Sequence, residues 1–157
     1  MRLSFHSLGS NLIPLSWTPD LQKLKKIIYI DDQMDILLIA EYALSSIGKY
    51  DTLMCESGAE ALARIDDYNP DLILVDVMMP ELSGPETLSK IREKPLFKAT
   101  PAIFITAKIF QSEVAELMSC NTGVIGVIPK PFDPTTISTS IQTVWDSSFS
   151  KNNNESF

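Results

Sequence analysis

The chain has 157 residues, the length of one domain with a single hydrophobic core. Apolar residues make up 45% and charged residues 21%, as in an ordinary soluble globular protein, which excludes collagen-like and wholly disordered chains. With 20 acidic residues against 13 basic ones the net charge is −7, which argues against sequence-independent attraction to nucleic acid or to an anionic membrane.

Residues 1–24 read as an N-terminal extension without sustained periodicity. Within it Thr18-Pro19-Asp20 predicts the start of a short helix, with Thr18 as N-cap and Pro19 at the first helical position. Ser, His, Gly and Asn break the apolar run of the opening MRLSFHSLGSNLIPL, a poor secretory signal. No stretch approaches the ~18 consecutive apolar residues that a membrane span needs. A cytoplasmic protein is the expectation. From Lys25 the pattern alternates. KKIIYID (25–31) reads as a buried strand, and Asp35 to Ile47 as a helix carrying Ile36, Ile39, Ala40, Ala43, Leu44 and Ile47, stopped by Gly48. Tyr50 to Cys55 is a second strand, followed by a helix capped by Ser57 with Ala61, Leu62 and Ile65 on its apolar face.

After the Asn69-Pro70 turn, DLILVD (71–76) is a third strand, apolar on both faces until its terminal Asp. MMPELSG (78–84) is a loop leading into a helix from Pro85 to Glu93. PAIFIT (101–106) is a fourth strand, Gln111 to Ser119 a fourth helix, and GVIGVI (123–128) a fifth strand. Thr135 to Trp145 closes the series with Ile137, Ile141, Val144 and Trp145 on one face, and residues 148–157, polar and Asn-rich, read as a flexible tail. Continuous apolar strands alternating with amphipathic helices predict an α/β fold, a doubly wound five-stranded parallel sheet covered on both faces. Cys55 and Cys120 lie far apart with no Cys or His beside them, so they fit neither a zinc site nor a disulfide framework and read as thiols packed as small hydrophobes in a reducing compartment.

In such a sheet the site lies outside the carboxyl ends of the strands, near the point where strand order reverses. The first strand ends in Asp31-Asp32, the third in Asp76, the fourth in Thr106, and Lys130 follows the fifth. Any one of these is ordinary turn or cap chemistry; their joint placement is not. Three carboxylates brought together repel unless a cation joins them. The donors are all oxygen, which selects a hard ion such as Mg²⁺. A carboxylate beside Mg²⁺ and a fixed ammonium is equipped to attack a phosphoryl group and to hold the acyl phosphate that results.

With these residues in place the sequence resembles the receiver domains of two-component response regulators, of the chemotaxis type. The resemblance runs from about Lys25 to Ser147 and rests on Asp31-Asp32, the Asp76-Val-Met-Met-Pro-Glu-Leu-Ser-Gly84 loop, Thr106-Ala107 and Lys130-Pro131-Phe132. It implies a flavodoxin-like (βα)5 domain over 25–147 with strand order 2-1-3-4-5. It implies Asp76 as phosphoacceptor, Asp32 as a direct Mg²⁺ ligand with Asp31 assisting through water, and the backbone carbonyl of Met78 completing the protein's share of the shell. Lys130 would pair with Asp76 and then with the phosphoryl oxygens, which Thr106 and Ala107 would also meet, and the Lys130-Pro131 peptide bond would be cis. The implied donor is a sensor histidine kinase or a histidine phosphotransfer protein.

Three departures bear on mechanism. Relatives often carry an aromatic residue where Val127 stands, and Val cannot swing a ring, so the signal from Thr106 is expected to travel through the following loop and helix. Met78 offers no amide or acid to orient a hydrolytic water, and Lys108 adds a charge near the mouth; slow self-dephosphorylation is the expectation. The sole histidine, His6, lies in the unpatterned extension, so the chain is not expected to donate its own phosphoryl group. The residues outside 25–147 are too few for an independent output domain. Output is therefore expected through protein contact on the face of the fourth helix, fifth strand and fifth helix, by a monomer or weak dimer, with Phe110 and Met118 either core or part of that face. A shuttle or sink passing phosphate between a kinase and a phosphotransfer protein is a close variant. A haloacid-dehalogenase-like phosphatase would want a second Asp where Met78 stands, and a non-phosphorylated docking platform would tolerate loss of an acidic, Thr or Lys position.

Overall fold

The structure is a computed structural model that describes the backbone of residues 5–8, 11–14, 23–107 and 110–152, with side chains described for 23–107 and 110–150. Two short strands come first, β1 (Phe5–Leu8) and β2 (Asn11–Pro14), paired antiparallel with Phe5 opposite Pro14 and Leu8 opposite Asn11. The sequence reading assigned no element here. A sequence signal for it was present in the Gly9-Ser10 dipeptide between two short runs, a composition favoured in hairpins. The helix start read at Thr18-Pro19-Asp20 and the charge read at Lys108 lie outside the described residues.

Among the described residues five strands form one parallel sheet: β3 (Lys26–Ile30), β4 (Asp51–Cys55), β5 (Leu72–Asp76), β6 (Ala102–Thr106) and β7 (Val124–Pro129). Their order is β4-β3-β5-β6-β7, which is 2-1-3-4-5 counted within this sheet. β3 therefore pairs on both sides, with Ile30 opposite Cys55 of β4 and Val75 of β5, and it marks the point where the winding reverses. β5 and β6 are buried at every position, as strands covered on both faces must be.

Two apolar layers sandwich the sheet. One joins Ile27, Tyr29, Leu74, Ile105 and Ile128 to helix α1 (Met34–Glu41) and helix α5 (Ile137–Asn152) through Leu37, Ala40, Ile137, Ile141 and Trp145. The other joins Ile28, Ile30, Ile73, Val75 and Phe104 to α2 (Gly58–Tyr68) and α3 (Gly84–Arg92) through Ala61, Ile65, Leu88 and Ile91. Helix α4 (Gln111–Cys120) contributes no buried residue. Phe110 and Met118, read as core or contact surface, are both exposed. Cys55 is buried, its thiol pushed up to about 12 chiefly by burial, whereas Cys120 is exposed rather than packed.

Local chemistry sets the element ends. Ser57 caps α2 by accepting from the Glu60 N–H, and α2 ends at Asn69 in the left-handed region. The first helix does not stay α-helical to Ile47 as read: Tyr42–Ile47 is a π-turn segment, which keeps the consecutive pair Ala43 and Leu44 both in the core. The Ala43 carbonyl there accepts from both the Gly48 N–H and the Ser138 hydroxyl. Gly48 ends the segment for want of room, since a Cβ would sit 2.8 Å from the Leu44 carbonyl oxygen, and Lys49 supplies the left-handed turn. Helix α5 also continues past Trp145 to Asn152, so the tail read over 148–157 begins too early. The reason is Phe149, one turn on, whose ring packs edge-on to Trp145 at 4.9 Å. Among the described residues no helix is long and apolar enough to cross a membrane.

Candidate functional site

At the carboxyl edge of the sheet, β3 runs into Asp31 and Asp32, β5 ends in Asp76, β6 in Thr106, and β7 delivers Lys130. The backbone fixes these ends to one another. Asp31 N–H donates to the Cys55 carbonyl, Val77 N–H to Ile105, and Lys130 N–H to Thr106. The Lys130–Pro131 peptide bond is cis. Asp31, Asp76 and Thr106 are buried, whereas Asp32, Met78 and Ala107 are exposed at the rim.

The loop after Asp76 closes directly on the strand. Gly84 N–H donates to the Val77 carbonyl, and a Cβ at Gly84 would collide with the Asp76 carbonyl oxygen, so the return path requires glycine. Within the loop the Leu82 N–H donates to the Pro80 carbonyl at 2.8 Å across Glu81, whose φ of 66° is strained for a side chain with a Cβ. Ser83 and Glu86 then start α3 with a reciprocal capping box.

The side chains converge. Lys130 Nζ stands 2.6 Å from Asp31 Oδ2 and 3.3 Å from Asp76 Oδ2. Asp31 Oδ2 also accepts from the Tyr29 hydroxyl at 2.9 Å, and its Oδ1 accepts from the Gln33 N–H at 3.0 Å. One carboxylate oxygen from each of Asp31, Asp32 and Asp76 lies within 4.8 Å of the others. Burial, and then the Asp31 charge, raise the Asp76 carboxyl above its ordinary value, while Lys130 and the Met78 N–H pull it back. Three carboxylates against one ammonium leave the cluster negative. Its donor set is hard oxygen alone, which fits Mg²⁺ and suits no soft metal.

Of the residues singled out in the sequence, Asp31, Asp32, Asp76, Thr106 and Lys130 sit at one strand edge. Val127 stands apart, half-buried against the layer that holds Phe104 and Val124. His6 is in β1, opposite Ile13. Sequence reasoning missed Tyr29, Gln33 and Glu81. The first was legible in principle, because residues i and i+2 of a strand share a face and Tyr29 therefore lies on the same side as Asp31. The second follows from Asp chemistry, since an aspartate accepts from the backbone N–H two residues on.

Residues 27–142 match a family model described as response regulator receiver domain. The chain is 32% identical over 120 residues to the alkaline phosphatase synthesis transcriptional regulatory protein PhoP of Bacillus subtilis, a match covering 76% of this chain and 48% of that one. It thus spans about half the length of that relative. It is 31% identical over 120 residues to chemotaxis protein CheY1 of Helicobacter pylori, covering 76% of this chain and 95% of the other. Among solved structures it is similar to the chemotaxis response regulator CheY4 of Vibrio cholerae, with a TM-score of 0.70 and 29% identity over 78% of this chain and 99% of that one.

Proposed function

Because the chain belongs to the response regulator receiver domain family of two-component signal transduction, we propose that Asp76 accepts a phosphoryl group from a partner phospho-histidine and that the modified domain switches a protein-binding surface. The observation that carries this reading is the position of Asp76, at the end of the central strand, with an ammonium 3.3 Å away and two further carboxylates grouped beside it. In the transfer, an Asp76 carboxylate oxygen forms the O–P bond while the P–N bond breaks, and its electron pair returns to the imidazole, which takes up a proton. Asp31, Asp32, Asp76 and the Met78 carbonyl are the groups that would hold Mg²⁺, whose chemistry when bound is to neutralise charge on the phosphoryl oxygens. Lys130 moves its contact from the free carboxylate to those oxygens, and Thr106 and Ala107 lie one strand over to receive another.

The test is incubation with acetyl phosphate and Mg²⁺, wild type against Asp76→Asn, read by intact mass. The wild type gains one phosphoryl group and the variant none; a gain in both would place the acceptor elsewhere. Met78 has an exposed side chain beside Asp76 and brings neither an acid nor an amide. The phospho-form is accordingly expected to decay over minutes or longer once donor is removed, and decay within seconds would contradict that.

Output runs through α4, β7 and α5. The exposure of Phe110 and Met118 and the absence of any buried residue on α4 support this face as one that rearranges and meets a partner. With valine at 127, the change at Thr106 passes to the loop and to α4 rather than through a rotating ring. Competition with a second receiver for one phosphorylated donor separates this switch from a phosphate shuttle, since a shuttle returns phosphate to the donor and a switch retains it.

A further inference from the structure

From the hydrogen bonding beneath the pocket we infer that Tyr29 is a positioning residue for the metal-holding carboxylate of Asp31; the inference rests on the reading of the site given above. Tyr29 is the one polar side chain in the strand run Ile27-Ile28-Tyr29-Ile30, and it is wholly buried among Leu37, Leu74, Ile105 and Ile128. Phenylalanine would fill that space without a polar atom. A phenol in an apolar layer is costly unless its hydroxyl finds a partner. The partner here is Asp31 Oδ2 at 2.9 Å.

This bond does more than satisfy the hydroxyl. With Tyr29 on Oδ2 and the Gln33 N–H on Oδ1, the Asp31 carboxylate is pinned at both oxygens. Tyr29 also shares Oδ2 with Lys130, whose ammonium lies 2.6 Å away. In the proposed transfer that ammonium leaves Asp31 for the phosphoryl oxygens. Asp31 is fully buried and cannot turn to solvent when it does, so the phenol remains as the donor to Oδ2 while the Gln33 N–H holds Oδ1.

Isothermal titration of the full chain with Mg²⁺ tests this in wild type, Tyr29→Phe and Tyr68→Phe. Tyr68 also donates a hydroxyl hydrogen bond, but to Asp51 at the opposite end of the strands. Removing a group that orients a metal ligand costs about tenfold or more in affinity. Tyr29→Phe is expected to weaken Mg²⁺ binding by about that factor, and Tyr68→Phe to leave it unchanged. The Mg²⁺ concentration that half-saturates phosphorylation by acetyl phosphate should rise by the same factor, with the rate at saturating Mg²⁺ recovered.

A second measurement does not depend on the variant folding. In wild type labelled with 3-fluorotyrosine, one of four ¹⁹F resonances should move on Mg²⁺ addition, and it should persist in the Tyr42→Phe, Tyr50→Phe and Tyr68→Phe proteins. A folded Tyr29→Phe protein that binds Mg²⁺ as wild type does, or a Tyr29 resonance indifferent to Mg²⁺, overturns the role of Tyr29 and leaves the phosphoacceptor reading standing. Failure of the wild type itself to bind Mg²⁺ overturns both.

Discussion

Replacing Lys130 with methionine is expected to destabilise the metal-free protein by about 3 kcal/mol, the usual cost of removing one partner from a buried charged pair. Methionine keeps the length and most of the volume of the lysine stem, so the loss is electrostatic rather than a cavity. The Lys130 side chain is 10% exposed, and the two carboxylates it serves are 0% and 7% exposed. Without the ammonium, Asp31 keeps, among the described residues, the Tyr29 hydroxyl and the Gln33 N–H, and Asp76 loses the cation that pulls its carboxyl down. Urea unfolding in a chelating buffer measures this. Adding Mg²⁺ should recover part of the loss, because an ion that binds only the folded state stabilises it by mass action. Phosphorylation at saturating Mg²⁺ should still slow by about a hundredfold or more, since the fixed cation that meets the developing charge is gone. An unfolding midpoint equal to that of wild type would show that the lysine is not the counter-charge of the cluster.

The second large effect has the opposite sign. Asp76→Asn is expected to stabilise the metal-free protein at neutral pH by about 1 kcal/mol, because it removes a buried charge from a cluster with too many of that sign and keeps the shape. The effect depends on pH in a defined direction. Burial and Asp31 raise the Asp76 carboxyl in the folded state above its value in the unfolded chain. The stability that goes with protonated Asp76 is fully present below the unfolded value and is lost as pH rises through the folded one. Asparagine undergoes no such loss. The variant's advantage should therefore be widest near neutral pH and close as the pH falls to about 4, the ordinary carboxylate range. Thermal unfolding across that range, with metal chelated throughout, measures the gap. A gap that widens toward acid would mean that Asp76 gains more from Lys130 than it loses to burial and to Asp31.

The sheet was readable because its signal is redundant. Runs such as LILV before Asp76 and AIFI before Thr106 are apolar on both faces, which only a covered parallel sheet tolerates, and all positions of both strands are buried. The strand-end residues were readable for the same topological reason, since parallel strands deliver their last residues to one edge. Other features lay beyond pattern reading. Tyr42–Ile47 turns as a π segment whose Ala43 carbonyl also accepts a hydroxyl from Ser138, a contact from far along the chain that no local pattern announces. Helix α5 outlasts its polar sequence because Phe149 finds Trp145. Lys130 was expected to pair with Asp76, and its shorter contact is with Asp31. Those distances depend on how the packed sheet sets the strand ends against one another rather than on local sequence.

The most direct test of the account is to locate the phosphoryl group. Wild-type protein treated with acetyl phosphate and Mg²⁺, then reduced with borohydride, converts an acyl phosphate to the corresponding alcohol, and peptide mass spectrometry reads which residue has changed. The prediction is homoserine at position 76 and no conversion at 31 or 32. Reduction at either of those positions, or a phosphoryl group that resists borohydride as an ester would, contradicts the assignment of Asp76 as the nucleophile.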